Sequence, residues 1–146
     1  MNPLALVQHR VHEYYWRRNW NCAVTTMLVL GEVFDVALGD QVLAAAVGMH
    51  GAGGYRAQCG LVEGALMFIG VIGQKKGLAE DAIVQACYDY GERFETRFGS
   101  LLCRDLRPEG FEPDNPPHLC EPLTRDAIVF DIQFVFHVIE RGKGSE

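Results

Sequence analysis

Hydrophobic residues recur at intervals of three and four through most of the chain, which is the period of an amphipathic α-helix. The helices that this pattern predicts cover residues 4–18, 23–34, 41–49, 58–75, 79–98 and 124–141. No segment alternates between apolar and polar residues with turn signals at its ends, so no strand is predicted. The sequence therefore predicts an all-α fold, a bundle of about six helices in a single domain over residues 1–146.

Two segments between the predicted helices are typical of loops. Residues 50–56 are rich in glycine, which allows tight turns, and we expect them to bring backbone N–H groups close to Cys59. The second loop, residues 99–122, precedes the last helix and contains prolines 108, 113, 116, 117 and 122, which leave room for a short helical turn at most. Residues 142–146 follow the last predicted helix and are expected to fray.

Charge and hydropathy narrow the classes of partner. The 146 residues include 19 acidic and 13 basic side chains, for a formal net charge of -6. Nucleic acids and anionic membranes both require a basic surface, so neither is expected as a partner. The longest apolar segment, residues 59–73, carries Glu63 and is shorter than the roughly 20 residues that a membrane span needs. Membrane insertion is therefore not expected, and Glu63 is expected to pair with an arginine inside the fold.

The expected compartment follows from the N-terminal residues. They have neither the basic start nor the apolar core of a secretory signal. The sequence therefore predicts a cytoplasmic protein, in which cysteines stay reduced and more often serve metal or redox chemistry than crosslinks.

The five cysteines are the unusual feature of the composition. They form no Cys-x-x-Cys pair, so neither a thioredoxin motif nor a zinc ribbon is present. Cys22 and Cys59 fall in the first turns of predicted helices, where free N–H groups and the helix dipole stabilise a thiolate. Cys103 and Cys120 bracket the proline-rich loop. Cys87 lies on the apolar face of the fifth predicted helix and is expected to be a core residue.

The order of these residues resembles a known family. The segments that carry the resemblance are Asn21-Cys22-Ala23, Cys59-Gly60-Leu61-Val62-Glu63-Gly64, Phe98-Gly99-Ser100-Leu101-Leu102-Cys103 and Cys120. They are similar to the small redox-active proteins named for a C-GCAxxG-C-C pattern, and the resemblance covers residues 14–140. Leu61 stands where the family usually has alanine, a change that leaves the sulfur positions intact.

The resemblance implies one redox-capable site. The residues that match the family's four cysteines are Cys22, Cys59, Cys103 and Cys120, and those that match its central glycines, expected beside the bound cofactor, are Gly60 and Gly64. Some members look like iron–sulfur or cytochrome-associated proteins. The resemblance thus implies an iron–sulfur cluster or another metal on the four cysteines, and a redox partner protein.

Four cysteines in one helical domain allow three kinds of chemistry. They could hold an iron–sulfur cluster, as in an electron carrier, which is the leading hypothesis. They could bind zinc, although their scattered spacing is unlike the close pairs of structural zinc sites. They could also work without a cofactor in a thiol–disulfide oxidoreductase, with Cys22 and Cys59 as the catalytic thiols. The remaining hypothesis, beside metal binding and thiol–disulfide exchange, is a structural or partner-binding helical protein with inert cysteines.

Two further features bear on the site and on assembly. His118 lies two residues from Cys120 and could replace a cysteine ligand, although a solvated loop histidine is the simpler interpretation. Four aromatic residues near the N-terminus are too dense to lie on one core face: Tyr14, Tyr15, Trp16 and Trp20. Since tyrosine and tryptophan are favoured at interfaces, this run predicts a contact in a homodimer.

Overall fold

The structure is a computed structural model that describes residues 2–143. In this range 69% of the residues are helical and no strand is formed, which confirms the all-α prediction. The helices of the described range are α1 (Pro3–Trp16), α2 (Cys22–Val33), α3 (Asp40–Ala45), α4 (Gly51–Gly54), α5 (Gly60–Lys75), α6 (Glu80–Phe98), α7 (Cys103–Leu106) and α8 (Glu121–Lys143). Six of them correspond to predicted helices, and α4 and α7 are single turns in the two predicted loops.

Capping side chains fix several helix ends. The side-chain oxygens of Asn2 and Asn21 accept hydrogen bonds of 2.8 Å from Ala5 N–H and Val24 N–H, so α1 and α2 begin directly after these asparagines. Gly99 ends α6 in a left-handed conformation that glycine adopts without strain.

The loops contain more structure than the sequence predicts. Ala52 and Gly53 of α4 have left-handed backbone angles, so α4 is a tight coil and not a regular turn of α-helix. Helix α3 ends at Ala45, four residues before the predicted end, and a series of turns follows it.

The last helix is longer at both ends than predicted. It begins at Glu121 because Pro122 occupies the second helical position, where a missing N–H costs no hydrogen bond. It continues through Lys143, two residues beyond the predicted end, while residues 144–146 of the tail expected to fray lie outside the described part of the chain.

Helix α5 lies at the centre of the core. It is buried along most of its length and packs against α2, α6 and α8. A Cβ on Gly64 would lie 2.7 Å from the Ala23 carbonyl oxygen, so glycine is needed for the close approach of α5 to α2. This contact brings the N-terminal ends of the two helices together. Neither α5 nor any other helix within residues 2–143 is long and apolar enough to cross a membrane.

Two buried polar pairs join the helices inside the core. The Tyr90 hydroxyl on α6 donates a 2.6 Å hydrogen bond to Asp131 Oδ1 on α8. Asp131 is fully buried, its Oδ2 has no partner among the described residues, and burial raises its pKa well above the usual value. The carboxyl is therefore held as a neutral acid. The Tyr15 and Thr124 hydroxyls form the second pair, 2.6 Å apart, between α1 and α8.

Candidate redox site

Three of the predicted site cysteines line one cavity, and the fourth lies in the wall behind it. The cavity has a volume of about 480 Å³, and Cys22, Cys103 and Cys120 border it. Cys59 is buried. The other chemically notable lining residues are Tyr15, Trp20, His50, Arg107, Phe111 and His118.

Cys22 is held against the start of α5. It is the first residue of α2, directly after Asn21, whose amide also donates to the carbonyl oxygens of Ala46 (3.0 Å) and Val47 (2.8 Å). A Cβ on Gly60 would collide with Cys22 Sγ. The sulfur therefore occupies the space that a side chain at position 60 would take.

Cys59 and Cys103 are brought together by a short antiparallel bridge. Cys59 N–H donates to the Leu101 carbonyl oxygen and Cys103 N–H donates to the Ala57 carbonyl oxygen, each at 2.8 Å. Because successive side chains of extended segments alternate, Cys59 and Cys103 lie on the same face of the bridge. Periodicity could not reveal this pairing, since each segment is only about three residues long.

Cys120 is positioned by the start of α8. Its carbonyl oxygen accepts a 2.7 Å hydrogen bond from Thr124 N–H. The nearby His118 ring is half-buried, stacks on Tyr15 with ring centroids 5.2 Å apart, and meets Trp16 edge-on at 4.8 Å. The interpretation of His118 as a solvated histidine is therefore wrong, because it belongs to the wall of the cavity.

The four thiols lie within electrostatic reach of one another. In every pair that they form, a thiolate at one sulfur would raise the pKa of the other. Cys87 stands apart, because burial alone raises the pKa of its thiol. The structure thus gathers Cys22, Cys59, Cys103 and Cys120 at one place and leaves the fifth cysteine on α6.

Burial decides the charge state of the two innermost thiols. It raises the pKa of Cys22 far above the usual value and the pKa of Cys59 to about 12. The backbone N–H groups of Leu61 and Val62, at the start of α5, lower the pKa of Cys59, but by less than burial raises it. The expectation that a helix start makes these cysteines thiolates is therefore wrong, since the loss of hydration outweighs the helix N–H groups.

Two arginines act on the outer thiols. Burial raises the pKa of Cys103 and of Cys120, while the positive charge of Arg107 lowers both values. Arg56 also lowers the pKa of Cys103. Positive charge is thus concentrated on the side of the cavity that Cys103 and Cys120 border.

The contacts of Glu63 and of the two motif glycines differ from those that the sequence predicts. Half-buried Glu63 accepts a hydrogen bond from the Gln58 amide, and not from an arginine as expected. Gly60 makes room for the Cys22 sulfur and Gly64 makes room for Ala23, so both shape the site through packing. Within residues 2–143, no three Cys, His, Asp or Glu side chains are grouped closely enough to hold a single metal ion.

Comparison with known proteins identifies the family. A family model described as "Putative redox-active protein (C_GCAxxG_C_C)" matches residues 20–131, a range that includes all four cysteines of the site. No curated protein and no solved structure matches the chain. Since the family model covers more than half of its length, the chain belongs to the C_GCAxxG_C_C family of redox-active proteins.

Proposed function

We propose that this protein is an electron carrier that holds an iron–sulfur cluster, or a related metal centre, on Cys22, Cys59, Cys103 and Cys120. The observation that carries the proposal is that these four thiols come together from four separate parts of the fold. Cys22, Cys103 and Cys120 border the cavity, and Cys59 is buried within electrostatic reach of them. Four cysteine thiolates are the common ligand set of iron–sulfur clusters. The four thiols match this group in ligand type, and no carboxylate is present among the described residues that line the cavity. Within residues 2–143 they are not grouped closely enough to share one metal ion, so the proposal requires a cluster whose irons divide the ligands among them.

The charge state of the thiols supports metal binding over thiol–disulfide exchange. An attacking cysteine needs a lowered pKa so that it is a thiolate near pH 7. Cys22 and Cys59 have the opposite property. A metal ion deprotonates a coordinating thiol outright, so the same buried thiols remain competent ligands.

The distribution of the thiols favours a cluster over a single zinc ion. Structural zinc sites usually draw their cysteines from close pairs in sequence. Here the ligands come from the start of α2, the segment before α5, the start of α7 and the residue before α8. A cluster divides its ligands among several irons, which suits ligands from separate elements.

When bound, a cluster would supply reversible exchange of one electron. The residues of the chain around the cluster would set how readily the cluster accepts the electron. The N–H groups of Leu61 and Val62 favour negative charge on the Cys59 sulfur, and Arg107 places positive charge beside Cys103 and Cys120. Both effects favour the more negative, reduced state and so raise the reduction potential.

Metal analysis after anaerobic purification tests the proposal. We expect bound iron and acid-labile sulfide together with visible absorption bands. C59S should lose the iron and sulfide, whereas C87S, which removes the cysteine outside the site, should keep both. Retention of the metal by C59S and its loss from C87S would reject the ligand assignment, and colourless protein with bound zinc would replace the cluster with a zinc site.

The alternative function is metal-free thiol–disulfide exchange by Cys22 and Cys59. It is favoured by one contact, since the Cys22 sulfur lies against Gly60, the residue after Cys59. Metal-free protein that reversibly loses two free thiols on mild oxidation would support it. Both functions assume a cytoplasmic location, which keeps the thiols reduced.

A further inference from the structure

Arginine side chains surround the mouth of the cysteine cavity. Arg107 lines the cavity, and the guanidinium carbons of Arg107 and Arg56 lie 4.6 Å and 4.0 Å from the centroid of one ring, Phe111. Arg104 is exposed, and its backbone N–H donates a 3.3 Å hydrogen bond to the Arg56 carbonyl oxygen, so the two residues are neighbours in the fold. On the α1 side, the Arg18 guanidinium lies 5.6 Å from the ring centroid of Trp20, which also lines the cavity.

These four arginines lack carboxylate partners. None of them lies within 4.0 Å of an acidic group in the described part of the chain. Two other arginines of the described range do have carboxylate partners, Arg10 with Glu32 (2.9 Å and 3.0 Å) and Arg141 with Asp89 (3.9 Å). The positive charge of the four arginines at the cavity is therefore not neutralised by a paired carboxylate.

Exposed aromatic side chains lie on the same rim. Trp20 is 37% exposed, and Tyr55, between the cavity-lining Gly54 and Arg56, is 81% exposed. Tryptophan, tyrosine and arginine are the residue types that dominate the binding energy of protein interfaces. The mouth of the cavity therefore combines positive charge with apolar contact area.

We propose that the surface formed by Arg18, Arg56, Arg104, Arg107 and Trp20, here called the arginine rim, is the docking surface of an acidic electron-transfer protein. This inference rests on the proposed function and names the class of its partner. The net charge of -6 repels an acidic protein from the rest of the molecule, while the rim attracts it. An approaching partner would therefore be oriented onto the cavity, where the electron is exchanged.

Charge also distinguishes this partner from a second copy of the chain. A symmetric dimer presents the same patch on both subunits. Two arginine rims facing each other would place like charges together, which is unfavourable. The predicted homodimer, if formed, is expected to use another surface.

Calorimetric titration of the protein as purified tests the rim. The probes are a plant-type ferredoxin, which is small and acidic, and mitochondrial cytochrome c, which is small and basic. We expect the ferredoxin to bind, with an affinity that falls about tenfold or more between 20 and 200 mM salt because salt screens exposed charges. Absence of ferredoxin binding at 20 mM salt, binding of cytochrome c in its place, or ferredoxin binding that salt does not weaken would overturn the inference.

A pair of charge-matched variants locates the contact. R56Q/R104Q removes two exposed charges of the rim and should weaken ferredoxin binding about tenfold. K75Q/K76Q removes the same charge from the far end of α5, about 24 Å along the helix from Cys59, and should leave binding nearly unchanged.

The possible results distinguish failure of the docking proposal from failure of the cluster proposal. Equal weakening by both variants would show that only net charge matters, and formation of a dimer that R56Q/R104Q disrupts would assign the rim to a second copy. Either result overturns the inference. Iron and sulfide analysis of the same samples reports on the cluster independently, so failure of the proposed function is read from a different measurement.

Discussion

At the scale of single residues, the reactivity of Cys59 distinguishes a metal ligand from a catalytic thiol. With a pKa of about 12 instead of the usual value near 8.5, its thiolate is roughly three thousandfold scarcer near neutral pH. The greater nucleophilicity of each thiolate recovers part of this loss. In metal-free protein we therefore expect iodoacetamide to modify Cys59 about a hundredfold more slowly than an unperturbed cysteine at pH 7.5.

Mass spectrometry of the modified peptides measures this rate for each cysteine in one experiment. The rate at Cys59 should increase with pH up to its raised pKa, because only the thiolate reacts. Half-buried Cys103, whose pKa Arg107 and Arg56 lower, provides the internal comparison and should react faster. Modification of Cys59 at the rate of a free thiol would count against metal binding and support the exchange function.

Sequence reasoning identified the site cysteines but not their charge state. The helix start that favours a thiolate at Cys59 is readable from the pattern of apolar residues, and its N–H groups do lower the pKa of the thiol. The depth of burial is set by the packing of α2, α5 and α8 around the sulfur, which a sequence does not reveal. For Cys59, burial changes the pKa more than the helix N–H groups do, so the predicted direction of the pKa shift is wrong.

At the scale of elements, the packing of α2 against the start of α5 tests how the site is built. G60A adds a methyl group that would collide with Cys22 Sγ and lie 2.6 Å from the Met49 carbonyl oxygen. We expect it to destabilise the fold by about 1–3 kcal/mol, as overpacking does, and to reduce metal loading. Urea unfolding and iron analysis measure the two effects.

The same helix supplies the matched control. A Cβ on Gly70, ten residues further along α5, would meet nothing within 4 Å. Alanine is the better helix former, so G70A should leave loading unchanged and stabilise the protein by up to about 1 kcal/mol. If the two variants behaved alike, position 60 would not require glycine, and the clash with the Cys22 sulfur would be rejected.

The long elements were more predictable than the short ones. Helices α5 and α6 extend over four turns or more, so their apolar period and the caps at their ends are readable from the sequence. The bridge that joins Cys59 to Cys103 contains too few residues to show a period. Segments that position two of the four sulfurs were for this reason the part of the architecture that sequence analysis missed.

At the scale of the whole molecule, the distribution of charge matters more than its sum. The net charge of -6 argues against a polyanionic partner when it is taken as an average. Folding nevertheless collects Arg18, Arg56, Arg104 and Arg107, which are far apart in sequence, at the mouth of one cavity. The exposed Trp20 is in the same place, so we assign this one residue of the aromatic run to the arginine rim.

The stability of the whole molecule should depend on pH through Asp131. The folded protein keeps this carboxyl protonated because burial raises its pKa, whereas the unfolded chain releases the proton above about pH 4. The folded state then binds more protons than the unfolded state, so the free energy of unfolding falls as pH rises from about 4 towards the raised pKa. One such group contributes a slope of up to about 1.4 kcal/mol per pH unit.

D131N removes this dependence, because asparagine does not titrate and its oxygen still accepts from the Tyr90 hydroxyl. The stability difference between D131N and the parent protein should therefore shift in favour of D131N as pH increases from about 4.5 to 8, measured by urea unfolding of both proteins. D126N, which replaces an exposed aspartate on the same helix, should show the same dependence of stability on pH as the parent protein. If the stability of D131N also depended on pH as that of the parent protein does, Asp131 would be ionised in the folded protein. An ionised Asp131 would require a cation beside it, which the surrounding core does not supply.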